Sequence, residues 1–168
     1  MDATALFKFS SGLYIVSAND GECVSACLIN TGLQLTSKPL QVSVTVNKEN
    51  YTAHVIQKAG HFSLAVVDET ADMTFVGRFG FRTSETCDKF DGVAHATAST
   101  GDLYPTEHVC SYVACRVVKT FDVGTHLVFV GEMTDAGNLS SEPPMTYAYY
   151  HGTLKGKTPE KASSYVEV

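Results

Sequence analysis

The chain has 168 residues, a formal net charge of −6, and 44% hydrophobic and 18% charged residues, which fits one ordinary folded domain and not a disordered chain. The acidic balance argues against broad nucleic-acid binding, which needs a basic surface. No apolar run approaches the roughly 20 residues of a membrane-spanning helix, and the N-terminus lacks the basic start and apolar stretch of a signal peptide, so a cytoplasmic protein is expected.

The first half of the chain predicts a series of strands and one helix. Strands are predicted at 13–18, 23–29, 40–47 and 61–67, with an Asn-Asp-Gly turn signal after the first and the clearest alternation of apolar and polar residues at 40–47. Before the last of these strands, Asn50 or Thr52 can cap a helix that Gly60 is placed to end. The segment 30–37 is expected to be a polar loop between two strands.

The second half predicts a short helix at 72–79 and an irregular segment at 82–92. Further strands are predicted at 110–121, 126–134 and 145–151, with a loop at 135–144. Residues 1–155 are expected to form the folded domain and 156–168 a tail. Many short strands with few helices indicate a mainly β fold, a barrel or a sandwich. Because Gly-x-Gly-x-x-Gly and Walker sequences are absent, a Rossmann or P-loop nucleotide site is not expected.

Two polar runs are the most informative feature, because each follows a predicted strand. The first run, 30–37, contains side chains that hydrogen-bond readily, namely Asn30, Thr31, Gln34, Thr36 and Ser37. Amide and hydroxyl groups match the alternating donors and acceptors on the pyrimidine edge of an isoalloxazine ring, and the two leucines of the run can flank that ring. A plain surface loop with polar turns is the alternative.

The second run, 47–52, precedes the predicted helix. A helix N-terminus offers free backbone N–H groups and the positive end of a dipole. Lys48 adds a full charge, and Asn50 and Thr52 add polar side chains, so a terminal phosphate fits there. The two runs together predict flavin mononucleotide (FMN) as the ligand. The alternative is ordinary helix capping beside a solvated lysine.

Other reactive residue types form no catalytic or metal-binding pattern. The five cysteines include no Cys-x-x-Cys pair and the six histidines show no ligand spacing, so a metal site is not expected. His126, at the start of a predicted strand, can contact a nicotinamide or a flavin, or can be an ordinary strand-end histidine. No nucleophile elbow occurs, so redox chemistry must come from a bound cofactor.

Several segments, in their order and spacing, resemble the flavin reductase-like family, whose fold is the FMN-binding split β-barrel. The resemblance is strongest to the flavin reductase module of high-molecular-weight rubredoxins and to flavoredoxin-like proteins, and it covers about residues 4–155. The matching segments are 11–16, 29–37, 46–52, 79–81, 88–90, 124–132 and 143–150. The resemblance implies a mainly β split barrel with a few short flanking helices.

The resemblance also implies a homodimer that binds FMN near the subunit interface. The segment 30–37 would wrap the flavin ring. The phosphate and ribityl chain would be held by Asn47, Lys48, Asn50 and Thr52. His126 and the segment at Phe79 and Gly80 would lie near the open face of the ring, where a nicotinamide could stack.

By the same resemblance, the chain is expected to be an NAD(P)H-dependent oxidoreductase. It would accept hydride from NADH or NADPH and pass electrons to free flavin, to a rubredoxin-like or flavodiiron protein, or to another small acceptor, with no catalytic side chain. The rubredoxin-fused relatives carry two Cys-x-x-Cys pairs that are absent here, so the acceptor is expected to be a separate molecule. Two alternatives are a flavoredoxin-type electron carrier without its own nicotinamide site and a split-barrel binding module without flavin.

Overall fold

The computed structural model describes residues 1–166, which form a curled antiparallel sheet with short helices packed on it. The strands are β1 (Tyr14–Asn19), β2 (Val24–Ile29), β3 (Gly32–Ser37), β4 (Leu40–Asn47), β5 (His61–Val67), β6 (His95–Thr97), β7 (Leu103–Pro105), β8 (Val109–Asp122) and β9 (His126–Asn138). The helices are α1 (Tyr51–Ala59), α2 (Met73–Gly80) and α3 (Tyr147–Gly152), and a 3₁₀ helix spans Ala3–Lys8.

Seven strands form the main sheet in the order β2-β1-β5-β8-β9-β4-β3, while β6 and β7 pair separately. Every pairing is antiparallel. Asn47 at the end of β4 lies opposite His126 at the start of β9. Ile29 at the end of β2 lies opposite Tyr14 at the start of β1. Both polar runs therefore begin where a paired strand ends.

Two hydrophobic cores lie on opposite faces of the sheet. One core packs α2 and α3 against the sheet and buries Phe79 and Tyr150. The other fills the inside of the curl beneath α1 and buries Ile56 and Phe129. Neighbouring residues of β1 belong to different cores, as the two-residue period of a strand requires. The sheet is thus a barrel wall with a second layer outside it.

The mainly β fold class is confirmed, and the elements with the clearest patterns have the predicted bounds. β4 and β5 begin and end at the predicted residues. Of the two predicted caps for α1, the structure uses Asn50, whose Oδ1 accepts a hydrogen bond of 3.0 Å from the Thr52 N–H. The helix ends at Gly60 with φ at 76°, a conformation that glycine adopts without steric cost.

The prediction of a loop over 30–37 is wrong, because β3 occupies most of it and pairs with β4. Leu33 and Leu35 are both largely exposed on this edge strand, so no buried face marks it in the sequence. The loop predicted over 135–144 also begins later, because β9 continues to Asn138.

The strand predicted over 145–151 is likewise wrong, because this segment forms α3. The Thr146 hydroxyl accepts a hydrogen bond of 3.0 Å from the Tyr149 N–H and caps the helix, and Tyr147 and Tyr150 lie one turn apart. Within residues 1–166, no helix has the length and apolar character needed to cross a membrane, and the longest, α1, has nine residues.

Candidate functional site

A cleft opens where β2 and β4 end and α1 begins. Together with the open space at its mouth, it encloses about 630 Å³. Five of the residues predicted to hold a cofactor line it: Asn30, Thr31, Asn47, Asn50 and His126. The structure therefore brings the first residues of both polar runs and the strand-end histidine to one place.

Asn30 and Thr31 form the turn between β2 and β3. The Thr31 hydroxyl donates a hydrogen bond of 2.9 Å to the Thr45 carbonyl on β4, which ties the turn to the neighbouring polar run. Asn30 is 7% exposed, so its amide has a nearly fixed position. A side-chain amide offers one acceptor and two donors, which suits recognition of a ring edge that carries both donors and acceptors.

Asn47 and His126 lie side by side at the next strand end. The Asn47 Oδ1 accepts a hydrogen bond of 2.9 Å from the Glu49 N–H, which leaves its Nδ2 to face the cleft. The His126 Nδ1 lies 2.8 Å from the Thr125 hydroxyl. When that hydroxyl donates, the Nε2 carries the proton and presents it to the cleft.

The N-terminus of α1 also reaches the cleft, through its cap Asn50. The first turn of a helix carries partial positive charge and unpaired N–H groups. The Thr52 and Ala53 N–H groups are already bonded to Asn50, so this wall offers an anionic group the positive end of the helix dipole and the side-chain amides.

Apolar residues complete the cleft. Leu28, Ile29 and Val46 line it together with the Tyr147 ring. Gly80, the last residue of α2, also lines it, and a Cβ at this position would lie 3.3 Å from the Leu28 Cδ2. The close approach leaves little room for a side chain here. The combination of an apolar floor and polar strand ends can accommodate a flat ring with one polar edge.

The end of α2 is held by a buried lysine. Lys89 is 4% exposed, and its Nζ donates hydrogen bonds of 2.7 Å to the Ala26 carbonyl and 3.0 Å to the Phe79 carbonyl. Burial lowers the pKa of Lys89 below its ordinary value, because removing the ammonium from water disfavours its charge. Lys89 therefore links β2 to the segment that carries Gly80 and Phe81 into the cleft.

Six of the residues predicted to hold a cofactor do not line this cleft: Gln34, Thr36, Ser37, Lys48, Thr52 and Phe79. The first three lie on β3, and the Thr36 hydroxyl accepts a hydrogen bond of 3.3 Å from the Lys38 N–H. Phe79 is 1% exposed and lies in the core between the sheet and the helices α2 and α3. Their assignment to a cofactor stays a prediction.

Lys48 and Thr52 have partners inside the chain. The Lys48 Nζ forms a hydrogen-bonded ion pair of 2.5 Å with Asp122, and this contact and the Gly124 N–H lower the pKa of the Asp122 carboxyl. Thr52 is 1% exposed, and its hydroxyl lies 2.8 Å from that of Ser25. Within a single chain, the Lys48 side chain is thus paired with the end of β8, and Thr52 supports the first turn of α1.

The C-terminal residues that line the cleft were not predicted as site residues from the sequence. Pro159, Lys161, Ala162 and Ser163 belong to the predicted tail, yet they form part of the cleft wall. Ser163 and Lys161 bond to Asn30 and Asn47, which lie 133 and 114 positions earlier in the chain, so no local spacing signals these contacts. A local signal did exist for the preceding element, since the three-residue spacing of Tyr147 and Tyr150 is typical of a helix face and favours α3 over a strand.

Comparison with known proteins agrees with this architecture. The family model described as "Flavin reductase like domain" matches residues 6–158. The chain is 45% identical to a ferric-chelate reductase (NAD(P)H) of Archaeoglobus fulgidus over 99% of both chains. It is 36% identical to a high molecular weight rubredoxin of Moorella thermoacetica over 98% of this chain and 72% of that protein.

A solved structure shares the fold at low sequence identity. An NADH:FAD oxidoreductase of Streptomyces globisporus superposes with a TM-score of 0.75 at 18% identity, covering 82% of this chain and 81% of that one. The curled sheet with its strand-end cleft is thus a flavin reductase split barrel. Given the match over nearly its whole length, the chain belongs to the flavin reductase-like family of oxidoreductases.

Proposed function

We propose that the protein is an NAD(P)H-dependent reductase that binds FMN in the cleft between Asn30 and the N-terminus of α1. The observation that carries the proposal is the convergence of both polar runs and His126 on one cleft with an apolar floor. The 45% identity to an NAD(P)H ferric-chelate reductase over the full length supports the same class of reaction.

The residues of the cleft fit a flavin. Asn30 and Thr31 would meet the polar edge of the ring, and Leu28 and Val46 would pack on its apolar part. The α1 N-terminus, with Asn47 and Asn50, would hold the anionic chain. FMN is preferred to FAD because the sequence motifs resemble those of FMN-binding members of the family.

The bound flavin would supply the redox chemistry, accepting hydride from NADH or NADPH and passing electrons onward. The chain itself would bind and orient both partners. His126 would place its Nε2–H toward the cleft as a hydrogen-bond donor. Phe81 lines the cleft and is 53% exposed, so its ring can pack against an incoming nicotinamide.

For the electron acceptor, we propose a small diffusible molecule, and a ferric chelate first. The relative that bears this activity in its name aligns over 99% of both chains. The rubredoxin relative extends beyond the aligned region, which supports a rubredoxin-like protein as the second candidate. Free flavin and a flavodiiron protein complete the set to be assayed.

A homodimer is part of this proposal, and the outer face of the sheet supports it. Leu33 and Phe121 are 62% and 51% exposed. Residues that pair directly across strands share a face. Leu33 pairs with Ser43 and Phe121 with Val128, and each partner precedes a residue buried inside the barrel. Both large apolar side chains therefore lie on the outer face, where a second copy can cover them.

Sedimentation velocity tests the dimer. The chain should sediment as a dimer, and the double change Leu33→Glu and Phe121→Glu should give a monomer, because like charges would meet at the interface. Phe9→Glu is the matched control, since Phe9 is 77% exposed in the N-terminal segment. A wild-type chain that sediments as a monomer at high concentration would contradict the dimer.

The enzyme proposal is tested by reconstitution and anaerobic stopped-flow absorbance. Protein loaded with FMN, and separately with FAD, should bleach at its flavin band on mixing with NADH or NADPH. It should then regain colour when a ferric chelate is added. Bleaching only by a reduced protein donor would support the electron-carrier alternative. Failure to bind either flavin would support the remaining alternative, a split-barrel binding module without flavin.

A further inference from the structure

The C-terminal strap, defined here as residues 156–165, turns back from α3 and crosses the cleft. Gly156 is buried against Tyr150, and a Cβ at Gly156 would lie 2.0 Å from the ring. The Tyr150 hydroxyl donates a hydrogen bond of 3.0 Å to the Lys157 carbonyl, and the Tyr147 hydroxyl lies 2.8 Å from that of Thr158. These contacts direct the following residues over the cleft.

Within the cleft, the strap bonds to the polar groups that would bind the cofactor. The Asn30 Nδ2 donates a hydrogen bond of 2.6 Å to the Ser164 hydroxyl, and its Oδ1 accepts one of 3.2 Å from the Ser163 hydroxyl. The Lys161 carbonyl accepts hydrogen bonds from the Asn47 Nδ2 at 3.3 Å and from the His126 Nε2 at 3.2 Å.

We propose that the strap is an intramolecular occupant of the cleft, which the flavin displaces when it binds. This inference rests on the proposed function. With its oxygen and its amide nitrogen both engaged by serines, Asn30 meets the polar edge of a ring only after the strap moves. The Asn47 amide and the His126 Nε2–H likewise become available to a ligand only after the Lys161 carbonyl moves away.

The strap is held weakly enough to be displaced. Among the described residues, its one ion pair at the cleft joins Lys161 and Glu49 at 3.1 Å, with side chains 61% and 75% exposed, and exposed ion pairs contribute little to stability. Most of its remaining anchors are single hydrogen bonds between neutral groups. The apparent affinity for flavin is the intrinsic affinity reduced by the fraction of molecules whose strap is open.

FMN titration of the flavin-free protein, followed by quenching of FMN fluorescence, tests the inference. The double change Ser163→Ala and Ser164→Ala removes both hydrogen bonds to Asn30 and should tighten FMN binding by about fivefold. In stopped-flow experiments, the wild-type binding rate should level off at high FMN concentration, because opening becomes limiting. Ser141→Ala, at an exposed serine outside the strap, is the matched control and should behave as wild type.

Limited trypsin digestion gives a second measurement that needs no catalysis. Cleavage after Lys157 and Lys161 should be slow in the flavin-free protein and faster once FMN is added. The serine double variant should be cleaved quickly without FMN. Slower cleavage on adding FMN would overturn the inference, because it would mean that the strap closes over the flavin.

The affinity outcomes separate the two proposals. Equal or weaker FMN binding by the serine double variant would overturn the strap inference and leave the proposed function intact. Absence of FMN binding by every variant, the wild type included, would overturn the proposed function and the strap inference with it.

Discussion

The two sides of the cleft differ in how they are held. One side consists of strand ends and the start of α1, fixed by sheet pairing and by a helix cap. The other side is the C-terminal strap, attached by a few hydrogen bonds, of which those to Asn30 and Asn47 span more than 100 residues of sequence. A ligand site can thus combine a rigid wall that supplies geometry with a weakly attached wall that can yield.

The difference has an energetic consequence. Groups of the rigid wall are held by strand pairing and by the helix cap, and they adjoin core residues such as Val46 and Thr52, so changing this wall should alter both folding stability and binding. Groups of the strap are mostly half-buried or exposed, so changing them should alter binding with little effect on stability. Changes at Thr52, Lys89, Asn50 and Thr158 test this division, from the largest expected change in unfolding free energy to the smallest.

Thr52→Val should give the largest loss of stability. The variant keeps the shape of Thr52 but leaves the Ser25 hydroxyl, 1% exposed, without the partner that it has at 2.8 Å. An unpaired buried polar group costs about 1–3 kcal/mol, so urea denaturation should show a loss of that size.

The double change Ser25→Ala and Thr52→Val is the control, because it removes both polar groups. Its loss should be clearly smaller than that of Thr52→Val alone. If the two variants lose the same stability, the hydroxyl pair does not support the base of α1, and the rigid wall must owe its stability to packing alone.

Lys89 should make stability depend on pH. Because burial lowers its pKa in the folded protein below the ordinary 10.5, the unfolded chain binds the proton more strongly. Stability should therefore rise with pH from the lowered pKa to about 10.5, by at most about 1.4 kcal/mol per pH unit. Urea midpoints of wild type and Lys89→Met, compared from about pH 7 to about pH 10, should diverge in this direction. A constant difference would show that Lys89 keeps an ordinary pKa.

Asn50→Ala should cost about 1 kcal/mol of unfolding free energy, because the cap of α1 is lost. Asn50→Ser retains an oxygen that can accept from the Thr52 N–H and should recover most of the loss. Both variants lack the amide that lines the cleft, so FMN affinity should fall in both. Equal stability of the Ala and Ser variants would show that the cap is not what fixes this end of the helix.

The rigid wall was largely predictable from the sequence. Alternation over β4, the cap at Asn50 and the helix end at Gly60 are local signals, and each is repeated in the structure. The starting residues of both polar runs could be placed at strand ends for the same reason. The sequence did not predict β3, which follows Thr31, because an edge strand with exposed leucines has no buried face to mark it.

The strap could not be predicted, since its position depends on contacts across the fold. Ser163 and Ser164 reach Asn30 across 133 and 134 positions, and nothing in their immediate neighbours distinguishes them from a solvated tail. The wrong prediction of a strand at 145–151 added to this difficulty, because a strand would direct the following residues away from the position that α3 gives them. Burial of a polar residue such as Asn30 shows only in three dimensions.

Thr158→Val should have the smallest effect on stability and still change binding. The variant loses the contact of 2.8 Å with the Tyr147 hydroxyl, but Thr158 is only partly buried, so its loss should stay within about 0.5 kcal/mol. Because this contact helps to seat the strap, FMN should bind about twofold more tightly. Thr158→Ser keeps the hydroxyl and should match wild type in both measurements. A large loss of stability in Thr158→Val would place the strap within the cooperative core, and the contrast between a fixed and a yielding wall would then be wrong.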